Sequence, residues 1–335
     1  MKKWHYPFLA FLIIGTILIL SGNKPVYRTS EGAVFGTFYH ITYNYNQDLQ
    51  AEIESSLAKV DSSLSMFNPK STIAAVNASS SMQVSDEMFL YVVRLAQQVS
   101  QWTDGAFDIT VAPAVNAWGF GFKHKEAILA DTTILDSLRE IVSYKLFHED
   151  NGFITKDKDG VMLDCSAIAK GYGCDVVADM LRSHGISDFM VEIGGEVVVS
   201  GKNPKGHMWH IGVSKPVEDE SSGNELQTIL ELSEIAMATS GNYRNFYYEN
   251  GRRYAHTIDP KSCRPVQHSL LSATVLADNC ATADALATSM MVMGLERSLQ
   301  VCSSLDGIEA YFIFQGEDGQ IDVAYTDGFA RYLPE

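Results

Sequence analysis

Apolar and polar residues alternate at two periods along the chain, and the switching between them predicts a fold of short strands interleaved with helices. Glu31 to Tyr45 has the β-branched and aromatic content of a strand, with Gly36-Thr37 in its middle. Leu49 to Phe67 carries helical spacing. So does the run from Ser85 to Trp102, where Met88, Tyr91, Val92, Leu95 and Val99 share one face, Ser85 offers a cap and Gly105 a stop. Ser65 to Asn77, with Asn68-Pro69, reads as the loop between the two helices. Phe153 to Asp164 predicts a hairpin turning at Asp157-Lys158-Asp159-Gly160, followed by a helix that reaches Arg182 and stops at Gly185. Strands follow at Phe189–Ile193 and Glu196–Ser200 around Gly194-Gly195, then at Trp209–Val213. Thr228–Leu232, Ala236–Tyr248 and Arg253–Ile258 predict a meander with a turn at Asn250-Gly251. Leu270–Leu276 is a strand, Asn279 caps a helix over Ala281–Met293, and Gly294 ends it. One more helix and the strands Glu309–Phe314 and Ile321–Tyr325 complete the chain.

The amino terminus breaks this pattern. Met1-Lys2-Lys3 is a basic flank, and Phe8 to Leu20 is an unbroken apolar or neutral run ending at Ser21-Gly22-Asn23. Residues 1–22 therefore read as an export signal or an uncleaved membrane anchor, with the lysines cytoplasmic and the body, residues 23–335, extracytoplasmic, at the inner membrane's outer face or in the periplasm. No cysteine lies near the end of the apolar run to carry a lipid.

Composition narrows the function. The chain has 335 residues, 46% hydrophobic and 20% charged, with a formal net charge of −16, so it can bury a sizeable core and is a poor match for a nucleic-acid backbone. An anionic ligand would need a local site of backbone N–H groups, one or two cations or a metal. The five cysteines, Cys165, Cys174, Cys263, Cys280 and Cys302, form no C-x-x-C pair, which excludes a zinc ribbon; they read as buried small hydrophobes, with a disulfide or two open to an exported chain.

Three places could carry chemistry. Asp164 stands at a strand end and Lys170 in the first turns of the following helix, a common placement for polar ligand contacts, although the glycine spacing around Lys170-Gly171 is not that of a P-loop. Asp284 and Thr288 lie four apart on one helix face, where two oxygens could hold a hard cation such as Mg²⁺, or where the Asp is solvated and the Thr bonds back to the helix. Gly105 to Gly121 alternates aromatics with glycines, which suits a flat ring, although an aromatic core under a glycine-bearing loop is the commoner explanation. His256, before the Asp259-Pro260 turn, is on its own more often structural than catalytic.

Taken in order, Gly36-Thr37, Ser71 to Asn77, Gly105-Ala106-Phe107-Asp108 through Trp118-Gly119-Phe120, Leu163-Asp164 through Tyr172, Glu192-Ile193-Gly194-Gly195-Glu196, Thr239-Ser240-Gly241, His256 to Pro260 and Ala283 to Thr288 resemble the motifs of the FAD:protein FMN transferase family, the ApbE-like flavin transferases. The resemblance spans about Gly36 to Phe329. It implies an α+β, mixed α/β fold with antiparallel sheets flanked by helices, in two lobes around a flavin-nucleotide site. It also implies an activity: FAD is split at its pyrophosphate, FMN is attached through a phosphoester to a Thr or Ser hydroxyl of an acceptor protein, and AMP leaves. The family's usual acceptors are subunits of membrane redox complexes.

By the same resemblance, Mg²⁺ is held by Asp284, Thr288 and the backbone carbonyl of Ala167. FAD is contacted by Phe35, Phe67, Ala106, Phe107, Asp108, Asp164, Lys170 and His256. His256 is the expected base, and Asp284 serves catalysis through the metal. Two motifs depart from the family: Phe35 stands where Met is common, and Cys263 stands where the turn after Asp259-Pro260 usually has Gly. An Mg²⁺-dependent FAD pyrophosphatase, or a membrane-tethered flavin-binding protein without catalysis, is the alternative on the same residues.

Overall fold

The computed structural model describes residues 25–121, 132–216, 225–242, 246–249 and 252–334. The segment 1–22 and the turn at Asn250-Gly251 lie outside them. Among the described residues no helix is long and apolar enough to cross a membrane.

Eight strands form one sheet: β1 (Tyr27–Val34), β2 (Thr37–Asn44), β3 (Phe189–Ile193), β4 (Glu196–Ser200), β5 (Ile235–Gly241), β6 (Leu270–Ala277), β7 (Glu309–Gln315) and β8 (Ile321–Tyr325). Each strand pairs antiparallel with the next, so their spatial order is their chain order. The helices and smaller hairpins are insertions between sheet neighbours. They are α1 (Gln50–Leu64), α2 (Thr72–Ala78), α3 (Glu87–Trp102), α4 (Ala112–Ala117), α5 (Thr132–Arg139) and α6 (Ala169–Ser183), all between β2 and β3, then α7 (Cys280–Met293) and α8 (Leu295–Ser303) between β6 and β7.

Strand alternation sets the two faces. Tyr39, Ile41 and Tyr43 of β2 and Val191 and Ile193 of β3 pack with Ile53 and Leu57 of α1 and Val177 and Leu181 of α6. Ala273, Val275 and Phe312 continue that face under α3 and α7. Val197, Val199, Met237, Leu276 and Ile313 point the other way, under a hairpin made by Trp209–Ser214 and Leu226–Leu232. Helix α7 is buried on nearly every side, from Ala281 through Met291, so packing all round holds it rather than one apolar stripe. Its first N–H groups are satisfied from two directions. Asn279 accepts from Thr282, and the Asp175 carboxylate on α6 accepts from Cys280 and Ala281, both at 2.8 Å.

A smaller core joins Ala114, Trp118, Leu135, Leu138, Val142, Ile258 and Cys263 beside the main body. All five cysteines are buried and free.

Five local expectations are corrected. Glu31 to Tyr45 is two strands, because Phe35 and Gly36 both take positive φ, 50° and 76°, and turn the chain back on itself. Within Ser65 to Asn77 lies α2, opened by Ser71, whose side chain accepts from Ala74 N–H. The 153–164 segment is not a hairpin of its own: Phe153–Lys156 pairs with Phe147–Asp150 across the two-residue turn Asn151-Gly152, both at positive φ, and with Ser81–Gln83, so the hairpin turns before this strand rather than at 157–160. Ala236 to Tyr248 is broken, since β5 ends at Gly241 while Phe246–Glu249 pairs with Arg252–Ala255. The cap of α3 is Asp86, one residue beyond Ser85, and it accepts from both Met88 and Phe89 N–H.

Candidate active site

On the helix-covered side of the sheet a cavity of about 340 Å³ opens between the main body and the smaller core. Its lining includes Phe67, Ala106, Phe107, Asp108, Asp164, Ala167, Lys170, His256, Asp284 and Thr288, so every site residue expected from the sequence except Phe35 meets there. Phe35 lines an adjoining cavity of about 260 Å³ that shares Met66, Phe67, Ser166 and Lys170 with the first.

Helices α6 and α7 build one wall. They approach so closely at Gly171 that a Cβ there would sit 2.3 Å from the Cys280 carbonyl oxygen and 2.8 Å from the Asp284 Cβ. The contact lets Gly171 N–H donate to Asp284 Oδ2 at 3.0 Å, which fixes a carboxylate that is only 2% exposed. Lys170 Nζ reaches Glu196 Oε1 at 2.6 Å and Asp284 Oδ1 at 3.9 Å. Burial works against the Lys170 charge, but Asp284 and Glu196 outweigh it and hold the ammonium above the ordinary lysine range. Burial raises the Glu196 carboxyl, against the pull of that ammonium. One turn after Asp284, the Thr288 hydroxyl lies 3.1 Å from Ser240 Oγ at the end of β5.

Loops build the facing wall. Asp108 is buried and its carboxylate is engaged inside the loop: Oδ1 accepts from Thr110 N–H at 2.8 Å and from its hydroxyl at 2.6 Å, and Oδ2 accepts from Tyr144 N–H at 2.6 Å. Burial raises its pKa while these bonds oppose the shift. Its side chain thus shapes the 107–111 loop. Asp164 likewise accepts from Ser166 N–H and hydroxyl, while its own N–H donates to Ile109 and ties the two loops together. The His256 ring meets Phe120 edge-on, 6.4 Å between centroids. Behind it, Trp118 Nε1–H donates to the Cys263 carbonyl at 2.7 Å. Cys263 takes φ +52°, the left-handed conformation a glycine would adopt without cost, so the turn keeps a glycine's backbone with a cysteine in place. Phe67 stands 74% exposed at the rim.

Sequence reasoning gave no role to Glu196 or Ser240, although both fall inside quoted motifs. Their signal was position: each begins or ends a strand at the helix-facing side, beside α6 and α7. The donors suit a hard cation, being carboxylate, hydroxyl and carbonyl oxygens. Among the described lining residues Lys170 is the one Lys or Arg, against Asp108, Asp164 and Asp284. A bound phosphate group would meet a surplus of negative charge there unless a cation came with it.

Fold and cavity together define a class: an antiparallel-sheet protein with a buried acidic and hydroxyl-bearing helix wall facing an aromatic loop wall. A family model described as the ApbE family matches residues 35–312. The FAD:protein FMN transferase of Vibrio cholerae serotype O1 is 37% identical over 99% of each chain, and that of Haemophilus influenzae is 34% identical over 86% of this chain and 87% of its own. Among solved structures, the flavin transferase ApbE from Vibrio cholerae aligns with a TM-score of 0.84 at 36% identity, covering 92% of this chain and all of that one. The apo form of Pseudomonas stutzeri flavinyl transferase ApbE aligns at 0.83 and 30%, covering 93% of this chain and 98% of that one. The chain belongs to the ApbE family.

Proposed function

We propose that this chain transfers FMN from FAD to a Thr or Ser hydroxyl of an acceptor protein, releasing AMP, and that the cavity between α7 and the 105–121 loop is where it does so. The observation that carries the reading is the meeting of Asp284, Thr288, Ala167 and Lys170 in one cavity with Phe107, Phe120 and His256, polar groups for a pyrophosphate beside flat surfaces for a ring. The two adjoining cavities give room for an extended dinucleotide.

Asp284, Thr288 and the Ala167 carbonyl would hold Mg²⁺, which when bound supplies charge neutralisation for the pyrophosphate. Lys170 offsets further phosphate charge. Phe67, Ala106 and Phe107 line the flavin-nucleotide, with Phe35 contacting it from the adjoining cavity, and Asp108 and Asp164 hold the loops that do so. His256 takes the proton of the acceptor hydroxyl as its oxygen bonds to the FMN phosphorus; the P–O bond to AMP breaks, and AMP departs with the electron pair. The acceptor is a membrane redox-complex subunit, and the enzyme works extracytoplasmically, in the periplasm or at the inner membrane, with residues 1–22 as signal or anchor and 23–335 as the transferase domain. Supporting this is the basic flank followed by the Phe8–Leu20 apolar run.

Mass spectrometry of an acceptor incubated with the full chain, FAD and Mg²⁺ tests the reaction. One FMN gained on the acceptor with AMP released, and neither in EDTA, is the expected result; free FMN with an unmodified competent acceptor would instead show hydrolysis. Protease protection in intact cells and spheroplasts tests the location, and a body cleaved only after lysis would refute it.

A further inference from the structure

Glu196 has no part in the reaction as written above, yet it is an expensive side chain to keep where it is. It opens β4, is 2% exposed, and faces the helices. Its Oε1 takes the Lys170 ammonium at 2.6 Å, but its Oε2 is buried with no hydrogen-bond partner among the described residues. A carboxylate that loses hydration at two oxygens and gains a partner at only one is costly to bury.

What the charge does is divide the ammonium unequally. Lys170 Nζ lies 2.6 Å from Glu196 Oε1, within hydrogen-bonding distance, and 3.9 Å from Asp284 Oδ1, beyond it, so both carboxylates attract the ammonium but its hydrogen bond goes to Glu196. Asp284 Oδ2 accepts from Gly171 N–H, while Oδ1 accepts no hydrogen bond among the described residues and keeps the most acceptor capacity free. Without Glu196, that oxygen would be the nearest carboxylate for Lys170, and an ammonium seated on it would compete with a metal ion for the same lone pairs.

We propose that Glu196 is a positioning residue that draws the Lys170 ammonium off Asp284, keeping the Asp284 carboxylate open to a divalent cation. The proposal rests on Asp284 as a cation ligand. It differs from a packing role in one respect: its effect runs through Lys170.

The test is calorimetric titration of the full chain with Mn²⁺, without flavin, for wild type, Glu196→Gln, Lys170→Met and the double variant, with thermal melts to verify folding. Glu196→Gln should weaken Mn²⁺ binding roughly 10–100-fold, the usual effect of removing a group that orients a metal ligand. Lys170→Met should bind as tightly as wild type or tighter, and the double variant should match Lys170→Met, because the competing ammonium is gone. Unchanged affinity in Glu196→Gln, or a double variant that keeps the full loss, overturns the proposal. Should Glu196→Gln not fold, Glu196→Asp takes its place: a loss that Lys170→Met relieves supports the proposal, and an unrelieved one overturns it. A wild-type chain that binds no Mn²⁺ overturns the metal reading of Asp284 and this proposal with it, whereas tight wild-type binding with an indifferent Glu196→Gln overturns this one alone.

Discussion

The two walls of the cleft are built by opposite means. The α6–α7 wall is two helices pressed together at a glycine, with Asp284, Glu196 and Lys170 fixed by short, buried contacts. The loop wall has few regular elements; it is held by the Asp108 carboxylate, the Trp118–Cys263 hydrogen bond and a cysteine in a left-handed turn. Charged chemistry needs positions fixed to a fraction of an ångström, which packed helices supply. A flat ring needs shape more than exact placement, and loops with aromatic side chains can provide it at lower density.

The largest expected effect comes from removing the central carboxylate. Asp284→Ala should lower FMN transfer by at least about 100-fold, more than the loss of an orienting group, with the melting temperature little reduced. Near-normal transfer by product analysis would place the chemistry elsewhere. Next is the helix contact: Gly171→Ala must push α6 from α7, costing roughly 1–3 kcal/mol in denaturant unfolding and misplacing Asp284, so transfer should fall as well. If stability and transfer both hold, the close approach is not what fixes the wall.

A third test uses pH. Burial pushes the Asp175 carboxyl up to about 7, although Cys280 and Ala281 N–H oppose the shift. The folded chain then keeps a proton that the unfolded chain releases near pH 4, so this contribution to stability is full below about pH 4, is lost as pH rises through 7, and is flat beyond. Asp175→Asn should flatten that slope in unfolding measured from pH 4 to 8, and an unchanged slope would refute the assignment. The smallest effect belongs to the loop wall. Cys263→Gly relieves a left-handed cysteine and loses a buried side chain, so unfolding should change by no more than about 1 kcal/mol and transfer should stay within about twofold. A large loss of transfer would mean that this wall too depends on fixed geometry.

Where sequence reasoning failed on strands, the cause was a two-residue turn it had not placed, together with one distant partner strand. A positive-φ pair at Phe35-Gly36 split one expected strand into two, and the 153–156 strand found partners at 81–83 and 147–150 instead of within its own hairpin. Asp108, which the family resemblance places at FAD, lines the cavity; what the sequence did not show is that the Tyr144 amide, 36 residues on, takes one of its oxygens. Helix α7 was legible because Asn279 and Gly294 mark its ends; that it is buried on nearly every side was not, since its alanines suit an exposed helix equally well.

Local order alone determined the elements whose signals lie within one turn or one strand: caps, stops, alternation, and the Asp284–Thr288 spacing that puts both oxygens on one face. The motif order gave the family and most of the residues of the cavity. Only the tertiary structure decided that Lys170 sits between two carboxylates and that Gly171 is a contact between helices. Each of those depends on groups brought together from distant parts of the chain by burial, and burial is a property of the packed whole.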